Sequence, residues 1–397
     1  MRVVGLIDYV YGHSNGGMQT VAQATAERLA LRGHEYIFIA ARGDGDSSTE
    51  ESNGVRIERF ESGTSKLAYL GASRKALSAV AKRGRIDVVH SHFAYSALGP
   101  LSALGLRTPV VRTFHGAWTD ESHAERTAMG DGGTAVKSKS KRSRVGDHAR
   151  DAIERVALAR SQRVIALSAT ARDVLADRYR VPDGRIELLP GGVDFDRFKP
   201  LADRGAIRER LHLPRTSTIL MTACRLVQGK GVDVLLDATA ALTTLRPDVH
   251  CVVAGSGPQA GRLERLARAR GIADRVHFVG VQREALAEYY NAADVFVNSS
   301  LMNETFGLVN VEALACGTPV VATPSGAMPD MLRPIDPRFV AEGTSAPEIA
   351  RAISIVIGGI ADGTIDRARL VEHVTRDYSW DRHAAGTERA FEHTLGA

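Results

Sequence analysis

The chain has 397 residues, of which 44% are hydrophobic and 24% are charged. This length exceeds one ordinary hydrophobic core and suits two domains, and the composition is typical of a soluble globular protein rather than a fibrous or disordered one. The net charge is +5, but arginines and acidic residues are interleaved along the chain, so we interpret the excess as a solvated surface and expect no nucleic-acid partner.

Short runs rich in valine and isoleucine alternate with helical patterns in the first half of the chain. A helix is predicted at Met18–Arg32. Apolar strands that alternate with helices are typical of a parallel sheet covered on both faces, so this half is predicted to be doubly wound. Strands are predicted at Val3–Ile7, Tyr36–Ala40, Val55–Phe60, Val88–His92, Val110–Phe114, Val164–Leu167 and Ile186–Leu189.

The second half repeats this pattern after a linker predicted at Pro190–Pro200, which has a proline at each end and a glycine pair. The last helix is predicted to begin after Ser379. Strands are predicted at Ile219–Ala223, Cys251–Ala254, Val276–Val279, Val295–Asn298, Val320–Ala322 and Arg338–Val340. Helices are predicted at Gly231–Leu245, Gly261–Arg270 and Leu286–Ala292.

Two features bear on the cellular compartment. The apolar run Met1–Asp8 is too short for a secretory signal peptide, and no stretch approaches the length of a membrane span. All three cysteines, Cys224, Cys251 and Cys316, lie in apolar strand or helix patterns. Buried thiols of this kind are typical of a reducing environment, so we expect a cytoplasmic protein.

The segment Asn303–Gly317 carries the most informative chemical pattern. A helix is predicted to begin at Thr305 or Phe306 and to end at Gly317, where glycine favours the left-handed C-cap conformation. Glu304 precedes this helix and Glu312 lies along it. Carboxylates bind hydroxyl groups, and the free N–H groups at a helix start bind anions. One segment thus offers the parts needed to hold a nucleotide sugar.

Other candidates lie where predicted strands end, which is where doubly wound domains bind ligands. Arg225 and Lys230 follow the first strand of the second half, where two cations can neutralise a diphosphate leaving group without a metal. Gly16 and Gly17 follow the first strand of the chain; they either let backbone N–H groups approach a phosphate or form a simple turn. His115 ends another strand, and its role stays open between structural and functional.

No metal site is predicted. The pairs Asp44/Asp46 and Asp194/Asp196 lie in loops without the flanking strands that would fix a cation between phosphates. His90 and His92 lack a third ligand in the sequence around them. We therefore expect a nucleotide sugar as co-substrate and no tightly bound metal or other cofactor.

Taken together, these segments resemble the retaining GT-B glycosyltransferases of family 4. Glu304 and Glu312 match the family's E-x7-E motif, and Arg225 and Lys230 match its paired phosphate cations. The insertion Ala117–Asp147 is unlike the family and contains the basic stretch Lys137–Arg144, which reads as a flexible loop. Gly191 also differs from the family's usual sequence, because asparagine is commoner at that position. Further matches occur, in order, at Gly16–Gly17, Arg32–Glu35, Asp87–His92, Thr113–Gly116, Pro190–Asp194 and Ser379–Trp380.

The resemblance implies an α/β fold of the GT-B type, with two Rossmann-like domains whose parallel sheets face each other across a cleft. Residues 1–192 would bind the acceptor and be completed by the C-terminal helix 379–397. Residues 193–378 would bind the nucleotide sugar. The donor site would have its second wall in the first domain, at Gly16, Gly17 and His115.

The resemblance also implies a role for each matched residue. Glu304 would hold a hydroxyl at C3 or C4 of the donor sugar, and Glu312 would bind the ribose hydroxyls. Arg225 and Lys230 would stabilise the departing diphosphate, and His115 would contact the donor sugar near the reacting centre. The sugar and diphosphate would contact the backbone of Phe306, Gly307 and Leu308, and the base would be held at Val281.

The implied activity is retaining transfer of a hexose or amino-hexose from a nucleotide sugar to a hydroxyl of a small acceptor. Frequency within the family favours a UDP-linked donor. We expect a cyclitol, aminocyclitol or sugar acceptor of secondary metabolism. One alternative is a phosphorylated inositol or a membrane lipid acceptor; a second is a nucleotide-sugar 2-epimerase. A nicotinamide dehydrogenase is disfavoured, because Gly255-Ser-Gly257 is followed by Gly261 one residue late for the dinucleotide pattern.

Overall fold

A computed structural model describes residues 1–10, 16–63, 65–103, 108–117, 119 and 141–396. These residues form two compact units. The first unit contains the chain up to Thr119, the segment that ends at Gly192, and the chain from Trp380 onward. The second unit contains Val193–Ser379. The first four residues of the predicted basic loop Lys137–Arg144 lie outside the described residues. Its last four, 141–144, begin a helix rather than a loop.

The first unit is built on a mixed sheet. Its strands are β1 (Arg2–Leu6), β2 (Glu35–Ala41), β3 (Thr49–Ser52), β4 (Val55–Phe60), β5 (Val88–Ser91), β6 (Val110–Phe114), β7 (Arg163–Ala166) and β8 (Ile186–Leu188). They are ordered β3-β4-β2-β1-β5-β6-β7-β8. Neighbours pair in parallel except β3 and β4, which pair antiparallel. The parallel part agrees with the doubly wound prediction.

Strand β3 was missed because its sequence Thr-Glu-Glu-Ser has no apolar alternation and is largely exposed. It pairs with β4 through a two-residue turn, Asn53-Gly54, in which both residues have positive φ (50° and 76°). Asn-Gly is the sequence typical of such a hairpin turn, so the turn itself was the available signal.

Helices cover both faces of this sheet. They are α1 (Gly17–Leu31), α2 (Lys66–Lys82), α3 (Ala94–Ala103), α4 (Lys141–Ala159), α5 (Ala169–Asp173) and, at the end of the chain, α14 (Trp380–Leu395). One face packs Val3 and Tyr36 against Leu29 of α1 and Phe391 of α14. The opposite face packs Val4 among residues of α2 and α3. Adjacent strand residues thus serve opposite cores, as the pleat requires.

The second unit contains a parallel sheet. Its strands are β9 (Thr218–Ala223), β10 (Val249–Ala254), β11 (Val276–Gly280), β12 (Val295–Asn298) and β13 (Val320–Ala322), ordered β11-β10-β9-β12-β13. The strand predicted at Arg338–Val340 is wrong. Pro337–Phe339 is a 3-10 helix capped by Asp336, whose carboxylate accepts from the Arg338 N–H, and only Val340 makes an isolated bridge to Ala322.

The helices of this unit are α6 (Arg204–Arg210), α7 (Val232–Leu245), α8 (Ala260–Ala269), α9 (Leu286–Ala292), α10 (Leu308–Ala315), α11 (Met328–Leu332), α12 (Ala346–Ala361) and α13 (Arg367–Asp377). Helix α10 begins later than predicted, because Gly307 caps it in the left-handed conformation at φ 79°. Gly317 follows its end at φ 74°, as predicted. Cys251 and Cys316 are buried, whereas Cys224 is only half-buried because it lies just past the end of β9.

Within the described ranges, no helix is both long enough and apolar enough to cross a lipid bilayer.

The strand orders fix where ligands are expected. In the first sheet the order reverses between β1 and β5, and in the second between β9 and β12. Open α/β sheets bind ligands outside the carboxyl ends of strands at such reversals. Each unit therefore presents one candidate edge.

Candidate functional site

At the reversal point of the second sheet, a lysine and a glutamate form a close ion pair. Lys230 ends a 3-10 helix, Gln228–Lys230, in the loop that follows β9, and Glu304 lies in the loop that follows β12. The Lys230 Nζ donates to Glu304 Oε1 at 2.7 Å. Both side chains are half-buried. The structure thus joins two residues that the sequence analysis selected 74 positions apart.

The pair is ionised at neutral pH. Burial alone would raise the pKa of Glu304, but the Lys230 ammonium and hydrogen bonds from Ser300 and Asn298 hold that pKa below its usual value. Burial alone would lower the pKa of Lys230, but the Glu304 carboxylate holds it above its usual value. Opposite charges at hydrogen-bonding distance therefore outweigh the cost of desolvation for both groups.

Two glycines let the loops that carry this pair pass close to their neighbours. A Cβ at Gly231 would lie 2.1 Å from the Ser299 carbonyl oxygen, and one at Gly326 would lie 2.3 Å from the Glu304 carbonyl oxygen. Both glycines also have positive φ. The Ser299 Oγ donates to the Lys230 carbonyl at 3.1 Å. The geometry of the pair is therefore set by backbone packing as well as by charge.

Glu312 lies on α10 and is oriented by a tyrosine that the sequence analysis missed. The Tyr290 hydroxyl, from α9, donates to Glu312 Oε2 at 2.9 Å. Burial raises the pKa of Glu312, and the Tyr290 hydrogen bond and the Arg197 charge oppose that rise. Tyr290 belongs to an apolar helix pattern, so no local feature of the sequence identified it.

Asn298, Asn310 and Met328 also escaped the sequence analysis. The Asn298 Nδ2 donates to Asn310 Oδ1 at 3.3 Å, and the Asn310 Nδ2 lies 2.8 Å from Met328 Sδ. Asn298 also hydrogen-bonds Glu304. These buried contacts hold the start of α10 against the loop of Glu304. A polar residue at the end of an apolar strand was the signal that would have found Asn298.

Arg225 is exposed in the loop after β9. The turn Gly255-Ser-Gly257 closes this loop from the end of β10. A Cβ at Gly255 would lie 1.9 Å from the Cys224 carbonyl oxygen, and one at Gly257 would lie 2.4 Å from the Leu226 carbonyl oxygen. The Leu226 N–H donates to the Ser256 carbonyl at 2.8 Å. These glycines thus allow the backbone to pack closely beside Arg225. This packing accounts for their spacing without a bound dinucleotide.

The remaining predicted residues of the second unit lie at the same edge of the sheet. Phe306 is buried and packs on Tyr378 with ring centroids 5.9 Å apart. Gly307 and Leu308 form the cap and first turn of α10. Val281 follows Gly280 at the end of β11, and its side chain is 58% exposed.

In the first unit, His115 belongs to a buried histidine network. His115 Nε2 lies 3.2 Å from His92 Nδ1. His90 Nδ1 lies 2.9 Å from the Tyr36 hydroxyl, and His90 Nε2 lies 2.8 Å from Thr113 Oγ1. Burial lowers the pKa of His115, and the charge of Arg112 adds to that effect. His115 is therefore a neutral imidazole held in a fixed orientation at neutral pH.

Gly16 and Gly17 lie at the start of α1, where Gly16 is the N-cap. Gly16 has an ordinary φ of −79°, so its backbone conformation does not demand glycine. Residues 11–15, which connect β1 to this cap, lie outside the described residues.

Among the residues that are described, no group of three or more histidine, cysteine, aspartate or glutamate side chains is arranged to hold a metal ion.

Comparison with protein families gives two matches that together span most of the chain. Residues 15–197 match the model described as Glycosyltransferase Family 4. Residues 203–363 match the model described as Glycosyl transferases group 1. The first match ends at residue 197, inside the predicted linker Pro190–Pro200, and the second begins at residue 203, after it.

Curated relatives include proteins named D-inositol 3-phosphate glycosyltransferase. The protein from Geodermatophilus obscurus is 34% identical over 369 residues, covering 86% of this chain and 78% of its own length. The protein from Streptomyces avermitilis is 31% identical, covering 96% of this chain and 84% of its own length.

Solved structures show the same fold. Sucrose-phosphate synthase from Thermosynechococcus elongatus superposes with a TM-score of 0.83 at 23% identity, covering 100% of this chain and 99% of the other. HepE from Anabaena, solved in complex with UDP and glucose, superposes with a TM-score of 0.77 at 17% identity, covering 99% and 100%.

Proposed function

The chain belongs to the group 1 glycosyltransferases of the GT-B fold, and from this premise we propose that it transfers a hexose from a UDP-sugar to a hydroxyl group of a phosphorylated inositol, with retention at the anomeric carbon. The second unit binds the donor in this proposal, and the first unit binds the acceptor. The observation that carries it is the Lys230–Glu304 pair at the reversal point of the second sheet.

The donor assignment uses charges that the second unit already holds in place. Lys230 supplies a half-buried ammonium, and Arg225 supplies an exposed guanidinium on the same loop. Glu304 carries a second oxygen to accept from a sugar hydroxyl, and Glu312 faces the ribose. HepE, of the same fold, was solved with UDP and with UDP-glucose, which supports a uridine nucleotide.

The reaction needs no covalent intermediate in this proposal. As the bond from the anomeric carbon to the diphosphate lengthens, negative charge grows on the leaving oxygen, where Lys230 and Arg225 stabilise it. A fixed cation at that place acts mainly on the transition state, because the charge is larger there than in the bound donor. The acceptor hydroxyl attacks from the face that the diphosphate leaves and gives its proton to the departing phosphate.

The acceptor assignment rests on relatives. The curated relatives at 34% and 31% identity are named D-inositol 3-phosphate glycosyltransferases and are covered over most of their length. A neutral cyclitol or aminocyclitol, which the sequence analysis placed first, has no such support. The comparisons therefore favour the phosphorylated inositol that the sequence analysis kept as its alternative, and we adopt it.

The test is a two-step assay on the purified full chain. A panel of UDP-, GDP- and ADP-sugars is screened for protection against thermal unfolding, and the protecting donor is then incubated with D-inositol 3-phosphate, inositol, an aminocyclitol and no acceptor. We expect a UDP-sugar to protect and D-inositol 3-phosphate to yield an α-linked product. Transfer only to the aminocyclitol would overturn the acceptor, and acceptor-free conversion of the donor would show an epimerase.

A second prediction concerns the role of Tyr290. Tyr290→Phe removes the hydroxyl that orients Glu312, so the pKa of Glu312 rises further and the carboxylate loses one fixed oxygen. We expect the Kd for UDP, measured by calorimetry, to rise about threefold to tenfold, the usual range for one hydrogen bond, while kcat at saturating donor stays near the wild-type value. Tyr289→Phe on the same helix is the matched control and should leave the Kd unchanged.

A further inference from the structure

We propose that Asp8, held by Tyr69, binds ring hydroxyl groups of the acceptor at the reversal point of the first sheet. The inference rests on the proposed function and adds a specificity-determining residue in the unit that binds the acceptor. Asp8 lies two residues past the end of β1, and β1 and β5 are the strands between which the order reverses. Ligands of open α/β sheets bind at this position.

Among the residues that the structure describes, Tyr69 is the one hydrogen-bond partner of the Asp8 carboxylate. The Tyr69 hydroxyl, in the first turns of α2, donates to Asp8 Oδ1 at 2.5 Å. No side chain or backbone N–H of the described residues donates to Oδ2. Burial raises the pKa of this carboxyl to about 6, and the Tyr69 hydrogen bond opposes the rise. A half-buried carboxylate gains free energy when a ligand supplies a further hydrogen-bond donor to it.

Tyr69, which contacts this carboxylate, belongs to a cluster of aromatic rings. Phe60 and Tyr69 have ring centroids 5.1 Å apart, and Tyr69 and Tyr95 have centroids 5.3 Å apart. Tyr9, next to Asp8 in sequence, is 38% exposed. Apolar aromatic walls with a few fixed polar groups are typical of small-molecule sites. A polyol ring suits this setting, since its C–H face can lie on an aromatic ring while its hydroxyl groups donate to the carboxylate.

The distance along the edge of the sheet also suits an acceptor. Strands β1, β5 and β6 are parallel neighbours, so Asp8 and His115 follow strands that end at the same edge. Two strand spacings of about 4.8 Å separate β1 from β6, so the two positions are roughly 10 Å apart along that edge. A six-membered ring together with one substituent spans such a distance.

The charge of Asp8 fixes the orientation of the acceptor. Asp8 is ionised at pH 7.5, since that pH lies above its pKa of about 6. A phosphate beside it would meet a like charge in a desolvated place, which is unfavourable. The hydroxyl side of the ring therefore faces Asp8 and the phosphate points away from it.

The test compares full-length wild type and Asp8→Asn in the transfer assay, with whichever acceptor the wild type uses. We expect the acceptor KM to rise tenfold to a hundredfold, the range for losing a charge-assisted hydrogen bond, while the donor KM stays within twofold and kcat within threefold. Tyr69→Phe, which keeps the carboxylate but removes its support, should raise the acceptor KM about threefold to tenfold. Glu35→Gln, at the opposite end of the same sheet, should leave all three parameters unchanged.

Acceptors that each lack one ring hydroxyl separate direct contact from a structural effect. One of them should lose at least tenfold in kcat/KM with wild type and far less with Asp8→Asn, because the substitution has already replaced the charged acceptor of that hydrogen bond. Equal losses in both enzymes for every analogue, or an acceptor KM within twofold of wild type in Asp8→Asn and Tyr69→Phe, would overturn the inference. Failure of wild type to use any inositol would instead overturn the proposed acceptor.

Discussion

Replacing Lys230 with alanine is expected to lower kcat for sugar transfer about a thousandfold while the protein stays folded. The Lys230 ammonium is half-buried at the reversal point of the second sheet and is already fixed by Glu304 at 2.7 Å. No reorganisation is needed when charge develops on the leaving diphosphate, and removal of one such preorganised group typically costs a hundredfold to a thousandfold. Steady-state transfer assays and the Kd for UDP give the two readouts.

Both readouts are needed because the variant also leaves Glu304 without its counter-charge. An unpaired, desolvated carboxylate has a raised pKa and takes up a proton more readily. Protonation removes part of the free-energy cost of a buried charge without a partner. We expect circular dichroism to match wild type and the UDP Kd to rise far less than kcat falls. Lys75→Ala, an exposed lysine of α2, is the control and should behave as wild type. Near-normal turnover in well-folded Lys230→Ala would contradict the proposed donor site.

Glu304 and Lys230 should respond differently to conservative changes. Lys230→Arg keeps a cation and is expected to retain more activity than Lys230→Ala. Glu304→Gln keeps the shape of the side chain but removes the charge that holds Lys230, so both donor binding and kcat should fall. A Glu304→Gln variant as active as wild type would show that the carboxylate serves only to position the loop.

Most of the fold was predictable because the hydrophobic pattern of a strand can be recognised in the sequence. The predicted strand Val55–Phe60 matches β4 and the predicted strand Val295–Asn298 matches β12, residue for residue. The first alternates apolar and charged residues over Val-Arg-Ile-Glu, and the second is the apolar run Val-Phe-Val followed by Asn298. The polar strand β3 has no such signal, since its stability comes from pairing with β4 through the Asn53-Gly54 turn. The false strand at Arg338–Val340 had the right composition but lacks a partner to pair with beyond one bridge.

Some residues of the candidate site could likewise be predicted from the sequence, and others could not. Glu304 could be found because it precedes a predicted helix that carries Glu312, and Lys230 because it lies with Arg225 in the loop after the first strand of the second half. Tyr290 and Met328 could not, since each lies in an apolar pattern that also fits a core residue. Asp8 follows a strand too, but its aromatic surroundings come from Phe60, Tyr69 and Tyr95, which only the sheet order brings together.

The first unit is expected to lose stability steeply as the pH falls from 7.5 to 5.5. Burial lowers the pKa of His90 to about 3 and that of His383 to about 4. It also lowers the pKa of His92 and of His115, and the nearby Arg112 charge adds to both shifts. Unfolded histidines bind protons below about pH 6.5, whereas these folded ones stay neutral. Protons therefore favour the unfolded chain, and stability falls as pH decreases.

The size of this effect follows from linkage. At pH 5.5 a histidine with an unfolded pKa near 6.5 contributes about 1.4 kcal/mol of lost stability, so His90 and His383 together contribute about 3 kcal/mol. Asp8 acts in the opposite direction, because its folded pKa of about 6 lets the native state take up a proton first, and it offsets about 1 kcal/mol. These three groups alone give a net loss of about 2 kcal/mol, which is large against a typical total of roughly 5–15 kcal/mol.

Thermal unfolding of the full chain at pH 7.5, 6.5 and 5.5 measures this loss. His383→Asn removes one titrating group while its side-chain N–H replaces the histidine Nδ1, which lies 2.9 Å from the Pro190 carbonyl. We expect this variant to recover about 1.4 kcal/mol of the acid-induced loss. His393→Asn, at an exposed position of α14, should leave the pH dependence as in wild type. An unfolding temperature that stays constant down to pH 5.5 would contradict the prediction, because it would mean that these imidazoles accept protons without opening the core that encloses them.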